Sequence, residues 1–168
     1  MVITCEERWA SNRNAADAVW VPNGDQLHYP NVSTCVTVTL VFQNGLLGGH
    51  ASQDTPDGQH QPPENLQGVI KRMISLAGNH NLGAFKRICF IGTANEADWG
   101  LDQAKNLITA SFGQPSKDES VRYSASKVDI VFDTGAETFY VAEHEKKDQT
   151  VDRTIELAKE WYTYQKFN

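Results

Sequence analysis

The sequence predicts a single α/β domain in which a mixed central β-sheet is layered with about three helices. Three observations predict it. β-Branched and aromatic runs recur along the chain, the best of them Cys35–Phe42. Between them lie stretches whose apolar residues repeat at helical spacing. Finally, residues 1–168 contain no internal repeat, low-complexity stretch or linker, and 168 residues suit one domain able to bury its own core.

The first strand expected is Ala18–Val21, closed by the turn-forming run Pro22–Asp25. In Cys35–Phe42, Val36, Val38 and Leu40 share one face and threonines occupy the other. Asn44-Gly45 is a strong hairpin signal because both residues tolerate positive φ, and a return strand, Leu46–Ala51, carries His50. Residues 52–64 read as a polar loop rich in turn formers, a rim or lid beside His50. Pro62-Pro63-Glu64 opens a helix whose inner face is Leu66, Val69, Ile70, Met73, Ile74 and Ala77, with Gly78 as its stop. Arg87–Gly92 reads as a buried strand. A second helix uses Leu101, Ala104, Leu107, Ile108 and Phe112 and ends at Gly113. Strands are expected near Val121–Ser126, Val128–Asp133 and Thr138–Val141. A last helix from Thr150 would turn Val151, Ile155, Ala158 and Trp161 inward.

Composition removes several classes of function. A net charge of −6 and only scattered basic pairs argue against a nucleic-acid partner, which would need clustered Lys and Arg. No run approaches the roughly 18 apolar residues of a membrane span. Met1–Arg8 lacks the layout of a cleavable signal, so the expected site of synthesis is the cytoplasm, with delivery by a secretion machine that reads no such signal left open. The three cysteines, Cys5, Cys35 and Cys89, fit neither a disulfide framework nor a paired metal motif. Cys89 lies in an apolar strand and reads as core; Cys5 is uninformative; His144 reads as surface.

Cys35 and His50 are the candidates to carry chemistry, set against a packed, inert thiol and a structural hydrogen-bonding histidine, the readings that spacing alone favours. A thiol at the mouth of a strand needs a base, since the thiolate is the nucleophile. His50 follows Gly48-Gly49, where the absence of side chains lets backbone or substrate approach the imidazole. Val32-Ser33-Thr34 precede Cys35, and Ser33 and Thr34 are positioned to aim polar groups at an oxyanion. With a tight Asn44-Gly45 turn, Gln43 pairs with Leu46 and His50 falls opposite Thr39. The two residues then share a face but lie four residues apart, roughly 13 Å at about 3.3 Å per residue. A bulge at Gly48-Gly49, a bend at Cys35 or a wider turn must close that gap.

The segment Ser33-Thr-Cys-Val-Thr-Val-Thr-Leu40 followed by Leu47-Gly-Gly-His50 resembles the core of the chemoreceptor glutamine deamidase family CheD. The cysteine-then-histidine order is also similar to that of the deamidase toxins, the cytotoxic necrotizing factors and the Burkholderia lethal factor. The order of elements from about residue 18 to residue 141 matches CheD as well. The resemblance implies a CheD-like fold, Cys35 as nucleophile and His50 as base. It implies no metal or cofactor, a protein substrate carrying a target glutamine, and an effector or toxin setting. Transglutamination is a related activity. Three departures stand out: Ser33-Thr34 replace a Gly-Ser pair, His50 follows Gly49 directly, and Tyr29 occupies the position of the family's orienting threonine. Asn31, Ser33 and Thr37, or a backbone carbonyl, are the groups available to orient His50 instead.

Two other readings compete: a non-catalytic binding module on the same fold, and a cysteine hydrolase of small amides or esters. His50, Asp54, Asp57 and His60 have a loose metal-ligand spacing, but a solvated loop accounts for them better. The C-terminal aromatics Trp161, Tyr162, Tyr164 and Phe167 read as the packed side of the last helix or as a docking patch.

Overall fold

The computed structural model describes residues 1–8, 12–93, 99–123, 127–143 and 165–167. Among these are ten strands: β1 (Val2–Thr4), β2 (Ala18–Pro22), β3 (Gln26–Val32), β4 (Val36–Phe42), β5 (Gly45–Ala51), β6 (Phe85–Thr93), β7 (Lys117–Tyr123), β8 (Val128–Asp133), β9 (Thr138–Glu143) and β10 (Gln165–Phe167). Two helices, α1 (Pro62–Ala77) and α2 (Leu101–Phe112), complete them. The third helix expected from Thr150, with its aromatic side, lies outside the described residues.

The chain is a single α/β domain, but its strands form two sheets rather than one. The first has the order β1-β3-β8-β9-β10 and the second β2-β5-β4-β6-β7. Both are mixed, with β1–β3 and β6–β7 parallel and the remaining pairs antiparallel. The period-two alternation of β4 explains the layering. Its even residues, Val36, Val38, Leu40 and Phe42, pack with Leu66, Val69, Ile70 and Met73 of α1 and Ala104 and Ile108 of α2. Its odd side meets the first sheet, where Val41, Leu46 and Ile91 join Leu27, Tyr29, Ile130 and Phe132. The order is sheet, sheet, helices, and β4 and β5 are buried on both faces. The threonines Thr37 and Thr39 therefore face a second sheet rather than water, each 1% exposed. Among the described residues no helix is long and apolar enough to cross a membrane.

The β4–β5 hairpin departs from the expected register. Phe42 pairs with Gly45, so the turn is Gln43-Asn44 and His50 stands opposite Thr37, not Thr39. Asn44 is not among the residues of positive φ, whereas Gly45 is held at 155°, where only glycine is comfortable. Tertiary contacts select this turn. Asn44 donates from its backbone to Leu82 and from Nδ2 to Asn81, while Gln43 donates to Ala84. The loop before β6 clamps the turn one step away from where Asn-Gly alone would put it.

Gly48 and Gly49 admit packing partners rather than substrate. A Cβ on Gly49 would sit 2.5 Å from Met73 Sδ and 2.7 Å from Val69 Cγ1. One on Gly48 would meet Leu27 at 2.8 Å and the Tyr29 hydroxyl at 3.0 Å. Gly49→Ala should therefore destabilise the fold by about 1–3 kcal/mol through overpacking. The check is a lower urea midpoint at unchanged slope; an unaltered midpoint would show that α1 moves aside freely.

Candidate functional site

β1 and the residues after it bring an unexpected group to the hairpin. Val2, Ile3 and Thr4 run parallel to Gln26, Leu27 and His28 of β3, and the path continues as Cys5 N donates to the His28 carbonyl at 2.9 Å. Glu6 N then donates to Ala16 O at 3.0 Å, and His50 N to Asp17 O at 3.0 Å. Residues 5–7 thus cross the end of β5 beside His50. Asp17 is 2% exposed and is held by Arg72, at 3.0 Å from Nε and 2.7 Å from Nη2, and by Arg8 Nε at 3.3 Å.

At this crossing the Cys35 Sγ, one carboxylate oxygen of Glu7 and one ring nitrogen of His50 all lie within 4.8 Å of one another. The observed register explains the approach. Cys35 is two residues from the position facing His50, about 7 Å along the strand, and the chain bends just before β4. Parity keeps both side chains on the inter-sheet face. The Cys35 thiol donates to Glu7 Oε2 at 2.7 Å.

His50 is fixed on two sides. Its Nδ1 lies 3.1 Å from the Cys5 carbonyl. A carbonyl can only accept, so Nδ1 carries the proton and Nε2 presents a lone pair. Nε2 is buried and has no hydrogen-bond partner among the described residues. Tyr29 braces the ring edge-on, with centroids 5.9 Å apart and planes at 88°. The tyrosine is itself anchored by donating to Val38 O at 2.8 Å and by accepting from Gly49 N at 3.3 Å.

Of the groups available to orient His50, the backbone carbonyl holds it, and the carbonyl is that of Cys5. Thr37 does not, because its hydroxyl donates to Ile91 O across the sheet at 3.0 Å. Asn31 does not either. It sits at positive φ (54°) in the irregular stretch between Tyr29 and Val32, and its backbone amide donates to Asp129. Ser33 and Thr34 face the sulfur instead: the Ser33 backbone amide and the Thr34 hydroxyl both favour its thiolate form. Loop residues Asp54 and His60 pair with each other in the open at 3.2 Å, away from His50, which is buried. Cys89 is buried in the core.

The electrostatics are those of a closed site that disfavours charge on the thiol and the imidazole. Burial pushes the Cys35 thiol far above its ordinary value, and the charge and hydrogen bond of Glu7 push in the same direction. Burial lowers the His50 pKa to about 4, against the opposing pull of the Cys5 carbonyl. Burial also raises Glu7, while bonds from Cys35 and the Ser52 hydroxyl oppose that rise. An activated thiol reacting well below pH 8 is therefore not what this resting geometry supplies. Glu7→Gln should lower the pH at which Cys35 becomes alkylated, because it removes the charge that disfavours the thiolate. Iodoacetamide labelling across pH checks this, and an unshifted or raised midpoint would contradict it.

A cleft of about 400 Å³ opens beside the site between the 52–61 loop and α1, lined by Arg8, Asp17, Ser52, Gln61, Asn65 and Arg72 among others. Ser52 both lines this cleft and bonds Glu7, which in turn accepts from the Cys35 thiol, so a chain of side-chain contacts links the cleft to the sulfur. Glu7 and the Cys5 carbonyl escaped the sequence reading. A carboxylate near the N-terminus has no spacing that marks it, and only the short apolar run Val2–Thr4 hinted that this segment joins a sheet.

No family model matches the chain, and no curated protein matches it.

Proposed function

We propose that the chain is a cysteine-dependent amidohydrolase whose substrate is the carboxamide of glutamine in another protein. The observation that carries this reading is the gathering of the Cys35 sulfur and a His50 ring nitrogen within 4.8 Å, with the imidazole held in the tautomer a general base needs. The resemblance of the Cys35 and His50 segments to the glutamine deamidases supplies the substrate class.

In this mechanism the Cys35 sulfur attacks the carboxamide carbon as its proton passes to His50 Nε2. The Ser33 amide and the Thr34 hydroxyl, which favour the thiolate form of Cys35, are the donors offered to the oxyanion. His50 then gives its proton to the departing ammonia, leaving a thioester. Water, activated by the same nitrogen, cleaves the thioester to glutamate and returns the thiol. Glu7 is a positioning residue that fixes the sulfur. Because Cys35 is 0% exposed, the carboxamide enters from the adjacent cleft by displacing the Glu7 and Ser52 side chains. An amine in place of water would give transglutamination. On this reading the substrate belongs to a host cell, as for the toxins the motif resembles.

The test incubates reduced, chelator-treated protein with signalling and translation proteins and follows ammonia together with intact mass. A gain of about one dalton per amide lost is expected, as acyl transfer to water requires. Activity on free glutamine or esters alone would shift the reading to a small-amide hydrolase. Silence on every substrate would remove it.

The complete burial of the sulfur favours a second reading, a non-catalytic binding module that retains the fold. It predicts that saturating partner proteins leave Cys35 labelling unchanged, whereas a substrate that opens the site must alter it.

A further inference from the structure

The geometry points to a divalent-cation site of the zinc class formed by Glu7, Cys35 and His50, and we propose that this chain binds zinc there. Thiolate, imidazole and carboxylate are the three donor types that zinc takes in proteins. Their donor atoms already lie within 4.8 Å of one another, and all three residues are buried. Around a tetrahedral ion with bonds of about 2.0–2.3 Å, ligand atoms stand roughly 3.3–3.8 Å apart. The Sγ to Oε2 separation of 2.7 Å must widen by about an ångström or less, and a separation as long as 4.8 Å must close by about 1–1.5 Å.

A second observation is independent of this clustering. His50 Nε2 is buried without a partner among the described residues, while Nδ1 is held by the Cys5 carbonyl at 3.1 Å. Metal-bound histidines characteristically donate their other N–H to a carbonyl or carboxylate, which fixes the ring and leaves the second nitrogen free for the metal. The Cys5 carbonyl plays that part, and Tyr29 holds the ring edge-on. An unpaired nitrogen in the interior is costly, and a cation would satisfy it. Three protein ligands leave one coordination position for water or a further ligand.

Zinc binding here displaces the thiol proton to solvent and forms a sulfur–metal bond, with no change of oxidation state. It would also occupy the nucleophile and its base together, so the loaded protein should not hydrolyse amides. That consequence rests on the hydrolase reading; the binding does not.

Cobalt(II) and zinc titrations of the full chain, reduced and freed of metal, test the site. Cobalt should give one equivalent of an intense near-ultraviolet thiolate band with tetrahedral visible bands, both displaced by zinc. Zinc affinity, read by competition with a chromophoric chelator, should fall at least about tenfold in Glu7→Gln. Cys35→Ser should lose the thiolate band, while His60→Ala should change nothing. Cobalt binding without a thiolate band, or zinc affinity lost in His60→Ala but kept in Glu7→Gln, overturns the proposal, as does the absence of stoichiometric binding. The cobalt spectrum of the unaltered chain stands even where a variant fails to fold. Zinc binding with the thiolate band, in a protein that hydrolyses no amide when metal-free, supports the site and removes the hydrolase reading instead.

Discussion

On the proposed hydrolase reading, Cys35→Ala should reduce amide hydrolysis by at least a thousandfold, roughly the scale seen when a nucleophile acting as part of a unit is removed. On that reading the Cys35 sulfur forms the thioester, and without it no acyl intermediate can form. His50→Ala should fall to a similar level, and the double variant should be no worse than either single one, because the two groups act in one proton transfer. The fold should survive. Cys35 contributes a small side chain and one hydrogen bond to Glu7, and losing that donor costs about 1 kcal/mol. Ammonia release with thermal melting in parallel makes the comparison. A Cys35→Ala variant that keeps its activity, or one that melts many degrees lower, would mark the thiol as structural.

How much of this site was legible can be traced residue by residue. The layered α/β architecture was readable because Val36, Val38 and Leu40, and Leu66, Val69, Ile70 and Met73, carry their periodicities openly. Strand β3 was not. Its run His28-Tyr29-Pro30-Asn31 looks like a loop, yet it lies between β1 and β8 with Leu27 and Tyr29 fully buried. A second sheet built on such polar residues cannot be seen by local pattern, since its strands are selected by what they pack against. The hairpin register was misread for the same reason. Asn44-Gly45 favours one turn locally, but bonds to Asn81, Leu82 and Ala84 select the neighbouring one. That shift of two residues halves the separation of Cys35 and His50 along the strands. The expected conflict between face and distance thus disappears without any bulge in the β4–β5 ladder.

The same burial that closes the site should make the protein acid-labile well above the range where exposed carboxylates titrate. His28 and His50 are each 1% exposed, and burial lowers both to about 4 from an ordinary 6.5, with Asp129 opposing the shift at His28. Among the described residues, both His28 ring nitrogens and Nε2 of His50 lack a hydrogen-bond partner that could hold a proton in place. Between pH 6.5 and about 4 the unfolded chain binds a proton at each histidine and the folded chain does not. Stability is therefore full above pH 6.5, declines as pH falls through this window, and levels off below about 4. Each histidine accounts for about 3 kcal/mol, large against the 5–15 kcal/mol typical of a domain. Glu7 acts in the opposite sense, because its raised pKa lets the folded chain take up that proton first, and so offsets part of the loss. Urea midpoints at pH 7 and pH 4.5 measure the net effect. His28→Asn and His50→Asn should each flatten the profile by about half, because each removes one of the two protons that the unfolded chain gains. Equal midpoints at the two pH values, or an undiminished slope in both variants, would mean that the interior admits water to these rings and that the site is open rather than sealed.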